Sequence, residues 1–167
     1  MGKSRFAVEL ATRLDGEIIG ADAFQIYTGL PILTAQPNEA DRRGIPHHLI
    51  GCVAPEESFN AARYREQAEA RVAGIQARGR RPILCGGTGM YLKAFTHGLA
   101  EIAPANAELR AELERLADDE LRAELLRLDP AAGSEIDFKN RRRVIRALEI
   151  CRSTGRPVTE VLSLIHI

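Results

Sequence analysis

The sequence has no tryptophan, and aromatic residues make up only 5% of its 167 positions, which argues against broad stacking platforms for nucleobases. Base recognition would have to rely on pockets. Net charge is lacking too: 23 Lys and Arg balance 23 Asp and Glu, so a chain-wide basic coat for nucleic acid is excluded and any basic surface must be local. Cysteine is scarce, with Cys52, Cys85 and Cys151 widely spaced and no C-x-x-C, which favours free thiols in a reducing compartment over a disulfide or zinc framework. No apolar run approaches a membrane span, and the N-terminus lacks the basic-then-apolar layout of a signal peptide. The sequence reads as soluble and cytoplasmic. What it does have is ordinary for a globular domain: 45% hydrophobic and 28% charged residues, in a length that allows one domain with a small insertion.

Phe6, Ala7, Leu10 and Leu14 lie at helical spacing after Ser4, and Asp15-Gly16 supplies a stop. The β-branched run Glu17-Ile18-Ile19-Gly20-Ala21-Asp22 then reads as a buried parallel strand that ends on a carboxylate. Residues 24–57, rich in Pro and Gly, read as a functional loop with short elements. Ser58 is placed to cap a helix whose face carries Ala61, Tyr64, Ala68, Val72 and Ile75, with Gly79 at its end. Arg81-Pro82-Ile83-Leu84-Cys85 is a second short strand, opening into Gly86-Gly87-Thr88-Gly89. This alternation predicts a parallel sheet covered by helices.

Beyond Pro104 the texture changes to two leucine stripes, with Asn106 and Asp118 as expected caps of a helical hairpin. Residues 108–127 hold seven acids and four bases, whereas 139–156 hold seven bases and one acid. The basic surface is therefore local, on a helix whose Val144, Ile145, Leu148 and Cys151 can face a core while Arg142, Arg143 and Arg146 project elsewhere. The expected organisation is an α/β core over 1–103, a helical insertion over 104–137 and a basic helix returning to the core over 138–167.

Gly2-Lys3-Ser4 before a helix matches the last three positions of the phosphate-loop pattern G-x-x-x-x-G-K-[ST]. In such a loop the backbone N–H groups hold phosphate oxygens, the Lys neutralises them, and the Ser hydroxyl helps hold Mg²⁺. Taken alone, Asp22 reads as a turn cap, and Gly86-Gly87-Thr88-Gly89 as a plain strand-to-helix turn or as an anion or substrate contact. All three lie at strand or helix ends on one expected sheet edge, which would offer Lys3, Ser4, Asp22 and Thr88 to one crevice. His47 and His48 are adjacent, so their side chains diverge in an extended segment and are read as structural.

Gly2-Lys3-Ser4, Ile26-Tyr27-x-Gly29, Thr34-Ala35-x-Pro37, Pro46-His47-His48-Leu49, Gly86-Gly87-Thr88 and Arg143-x-x-Arg146-Ala147-Leu148-Glu149 together resemble the tRNA dimethylallyltransferases, in collinear order from Gly2 to about Leu162. The resemblance implies a P-loop NTPase-like, nucleotide-kinase-like α/β fold with a parallel sheet and a small helical insertion. It implies transfer of a dimethylallyl group from dimethylallyl diphosphate to N6 of the adenosine beside the tRNA anticodon, with Mg²⁺ as cofactor. In that reading Gly2, Lys3 and Ser4 bind the diphosphate or nucleotide, Ser4 also holds Mg²⁺, and Asp22 and Thr88 are catalytic. Asp22, Ala23, Phe24, Gln25, Thr88, Arg110, Arg142, Arg143 and Arg146 contact tRNA, and the expected assembly is a monomer.

Gly51 and Ala54 stand where many members of the family carry acids. Measured against the family, the first strand and the opening of the phosphate loop are missing, so the sequence is expected to be a piece of a longer enzyme, truncated at both ends. Two other activities share the core: prenylation of a free adenine nucleotide, and small-molecule phosphorylation.

Overall fold

The computed structural model describes residues 2–99 and 106–163, which fall into two compact units, 1–98 and 99–167. In the first unit, helix α1 (Lys3–Leu14) is stopped by Asp15, whose backbone is left-handed at φ 48° and whose N–H bonds to Ala11 O. Strand β1 (Gly16–Gly20) follows at once and is buried throughout. The 24–57 stretch holds helix α2 (Glu39–Arg42) and strand β2 (His47–His48). Helix α3 (Ala61–Ala77), strand β3 (Arg81–Cys85) and helix α4 (Gly89–His97) complete the unit. The sheet is parallel, in the order β2-β1-β3, with Ile18 opposite Ile83 and Ile19 opposite Leu84.

Alternation along β1 assigns the two faces. Ile18 packs with Ala7, Val8 and Ala11 of α1. Ile19 packs on the other face with Tyr64, Ala68 and Ile75 of α3 and Tyr91 of α4. The buried stripe of α1 differs from the expected one, because Phe6 is 69% exposed and Leu14 is also exposed. Small residues at Ala7 and Ala11 let the helix lie close on the strand, which leaves the larger neighbours outside. Strand β1 also ends earlier than its apolar run. Ala21 still donates to Cys85 O at 2.9 Å, and Asp22 lies just beyond. The cap of α3 is Asn60 rather than Ser58, since Asn60 accepts from Arg63 N–H at 3.0 Å.

Glu17 is a charge inside this core. Its carboxylate accepts from Arg78 (2.8 and 3.2 Å) and pairs with His48 at 2.6 Å, which makes His48 the structural residue its sequence context implied. The Arg78 hydrogen bonds pull its pKa from the ordinary 4.5 to about 2, against the opposing effect of burial and with help from His48. A depressed carboxylate stabilises the fold above its unfolded pKa and loses that contribution as pH falls from 4.5 through 2. With half-exposed Arg78 discounted for screening, the loss should be on the order of 2 kcal/mol. Urea titrations across that window should show the wild type losing stability faster than Glu17→Gln; parallel losses would contradict this role.

The second unit is helical. Helix α5 (Ala107–Leu113) is capped by Asn106, which accepts from Glu108 and Leu109 N–H. Helix α6 (Asp118–Leu128) begins one residue before its expected cap allowed. Ala117 is the cap position, and Glu120 satisfies its N–H at 2.7 Å. Helices α7 (Ala132–Glu135), α8 (Arg141–Thr154) and α9 (Val158–Ser163) follow. Leu113, Leu121, Leu125, Val144, Leu148 and Cys151 form their shared core. Buried Asp129 ties the end of α6 to α9 by accepting from Thr159 N–H (2.8 Å) and Oγ1 (3.0 Å).

Candidate functional site

The site lies where β1 and β3 end. Gly86 follows β3 so close to β1 that a Cβ there would stand 2.0 Å from Ala21 O, so only glycine permits the approach. The contact places the following turn against the 21–25 segment. Thr88 donates its N–H to Ala21 O at 3.0 Å, and its Oγ1 accepts from Ala23 N–H at 2.8 Å. Asp22 divides its two oxygens. Oδ1 caps the next turn, accepting from Phe24 N–H (3.0 Å) and Gln25 N–H (3.3 Å). Oδ2 reaches toward Gly87, where a Cβ would lie 3.5 Å from it and 3.5 Å from Lys3 Nζ. The turn-cap and functional readings of Asp22 are thus compatible, one for each oxygen.

Ser4, in the first turn of α1, lines a cleft of about 670 Å³ together with Arg5, Gln36, Pro37 and Arg43. It also borders a small cavity with Gln25 and Cys85. Burial pushes the Cys85 thiol pKa up, partly offset by the Lys3 charge. Tyr91, one turn after Thr88, stacks on Tyr64 at 4.3 Å between ring centroids. Burial, then the nearby Tyr27 and Asp22, pushes its phenol pKa up. For Tyr64, burial raises the pKa to about 12, and its hydroxyl has no hydrogen-bond partner among the described residues.

The 22–37 loop is held by two glutamines. Gln25 Nε2 donates to Thr34 O (3.2 Å) and Ala35 O (3.0 Å), while Gln36 Nε2 donates to Gln25 O (2.9 Å) and Tyr27 O (2.7 Å). Gln25 therefore spends its amide on shaping the loop, and Phe24 is the residue it displays, 74% exposed. Nothing in the sequence pattern singled out Gln36, because a polar residue in a loop carries no periodic signal.

In the second unit the four arginines expected to contact RNA differ. Arg142 and Arg143 are exposed on α8. Arg110 and Arg146 both bind buried Glu149, Arg110 through two bonds of 2.8 and 2.9 Å and Arg146 through one of 3.1 Å. Among the described residues, no group of three His, Cys, Asp or Glu could hold a metal ion. Ser4, in the first turn of α1, offers a hard hydroxyl oxygen. Such a donor fits Mg²⁺, which keeps much of its shell for water and substrate phosphate.

The sequence pattern of the IPP transferase family matches residues 25–164. The chain belongs to the IPP transferase family. A tRNA dimethylallyltransferase of Roseiflexus sp. (strain RS-1) is 45% identical over 98% of this chain and 55% of its own length. One from Methylococcus capsulatus is 45% identical over 96% of this chain and 53% of its own. Among solved structures, a eukaryotic dimethylallyltransferase acting on tRNA superposes with a TM-score of 0.83 at 30% identity, over 97% of this chain and 41% of its own. The tRNA isopentenylpyrophosphate transferase of Bacillus halodurans gives 0.60 at 41% identity, over 93% and 53%. This IPP transferase chain spans about half the length of the curated relatives it matches. These neighbours agree with its α/β core and parallel sheet.

Proposed function

We propose that the chain carries the catalytic part of an enzyme that moves a dimethylallyl group from dimethylallyl diphosphate to N6 of the adenosine beside the tRNA anticodon. The supporting observation is that Lys3 Nζ and Asp22 Oδ2 each lie 3.5 Å from where a Cβ on Gly87 would stand, so a cation and a carboxylate oxygen border the same turn. An exocyclic adenine amine is a poor nucleophile, so the allylic carbon must become electrophilic as its bond to diphosphate breaks. Lys3 and the first N–H groups of α1 neutralise the charge that develops on the leaving diphosphate. Mg²⁺, held by Ser4 and the diphosphate, would add Lewis-acid stabilisation of the same oxygens. As N6 bonds to the carbon, Asp22 takes its proton, and the two backbone bonds to Oδ1 keep the other oxygen in place. Thr88, fixed by Ala23 and Ala21, borders the reacting atoms.

Ala23, Phe24 and Gln25 form the segment that meets the RNA beside this site, and Arg110, Arg142, Arg143 and Arg146 bind its phosphates. A cytoplasmic monomer is part of the same reading. Filter binding of an anticodon stem-loop against AMP separates it from free-nucleotide prenylation. The stem-loop should bind much the tighter, and preference for AMP would contradict the proposal. Arg142→Ala or Arg143→Ala should each flatten the log–log salt dependence by roughly 0.7 to 0.9. A fall in affinity with unchanged slope would assign that arginine to the fold.

A further inference from the structure

We propose that Glu149 is a positioning residue for RNA: a buried carboxylate that holds the guanidinium groups of Arg110 and Arg146 in fixed orientation for phosphate. The inference rests on the RNA reading above. Glu149 sits on α8 with its side chain 2% exposed, while the two arginines it grips, one from α5 and one from its own helix, are 43% and 37% exposed. The acid is inside and the cations stand at the surface. Arg110 spends Nε and Nη2 on the carboxylate and Arg146 spends Nη1. Nη1 of Arg110, and Nε and Nη2 of Arg146, have no protein acceptor among the described residues, so each fork keeps donors for a phosphate oxygen.

A second ion cluster of the same unit shows what an ordinary helix tie looks like. Arg152 is gripped by Glu112 (2.8 Å) and Glu124 (2.7 Å), one cation between two acids. That cluster has a net negative charge and repels phosphate. Around Glu149 the grip is reversed, two cations on one acid, while Glu114 acts on Arg110 only through its charge. Arg142 and Arg143, on the same helix, have no such tether among the described residues. A free arginine must surrender its rotamer freedom when it meets phosphate, whereas one already held loses little.

The two effects of removing Glu149 have opposite signs, which makes the proposal testable. Loss of a negative charge should by itself strengthen attraction to RNA, while loss of positioning should weaken it. For the 167-residue chain, Glu149→Gln is expected to bind an anticodon stem-loop about tenfold more weakly. Arg110→Ala should then cost less affinity in the Glu149→Gln background than in the wild type. Glu124→Gln should lower the melting temperature without weakening RNA binding. A folded Glu149→Gln variant that binds as tightly as the wild type, or tighter, overturns the proposal and leaves the RNA reading standing. If the wild-type chain binds no RNA, both fall. Should Glu149→Gln fail to fold, Arg110→Lys replaces it, keeping the charge and losing the two-bond fork. Weaker binding with an unchanged melting temperature supports positioning, and wild-type binding overturns it.

Discussion

Asp22→Asn is expected to slow prenyl transfer by roughly 100- to 10,000-fold while leaving tRNA affinity within a few-fold of the wild type. The substitution keeps an oxygen to accept from Phe24 and Gln25 N–H, so the turn survives. What it removes is the proton acceptor at the Oδ2 position, next to Gly87. Single-turnover transfer, assayed in a version extended to the length of the relatives, separates the chemical step from binding. Turnover near that of the wild type would remove Asp22 from the role of base. A joint loss of transfer and affinity would assign it to holding RNA.

Gly86→Ala is expected to be the most damaging single methyl in the first unit. A Cβ placed 2.0 Å from Ala21 O and 2.2 Å from Ala21 C meets backbone, which has no rotamer by which to retreat. β1 and β3 must separate where Ala21 and Thr88 bond, so the cost should reach the upper end of overpacking, about 3 kcal/mol or more. Gly89→Ala is the control, since nothing lies within 4 Å of a Cβ there. Urea unfolding should show a lowered midpoint for Gly86→Ala alone; equal midpoints would contradict the close approach.

The elements of the α/β core were legible because they rest on local periodicity and punctuation. β3 was read at its observed bounds from a β-branched and apolar run between Gly79 and Gly86. Errors came where several residues could serve one purpose. Ser58 and Asn60 can both cap a helix, and only the final turn geometry selects Asn60. In α1, the expected stripe held Phe6, Ala7, Leu10 and Leu14; Ala7 is buried as expected, whereas close packing on a strand selected the smaller Ala11 over Phe6 and Leu14. At the candidate site, residue types at strand ends led to Lys3, Ser4, Asp22 and Thr88. Sequence could not foresee that Asp22 would split its oxygens, nor that Gln36 would clamp the loop. Glu149 belongs to the Arg143-x-x-Arg146-Ala147-Leu148-Glu149 motif, yet its grip on Arg110 links residues 39 apart and shows only in the fold.

Nucleoside mass spectrometry tests the central claim most directly. Unmodified tRNA and dimethylallyl diphosphate are incubated with Mg²⁺ and the chain extended to the length of its relatives, and the RNA is digested to nucleosides. The account predicts N6-dimethylallyladenosine from the position beside the anticodon, absent when Asp22→Asn replaces the wild type. Unmodified tRNA together with prenylated AMP in a parallel reaction would contradict it.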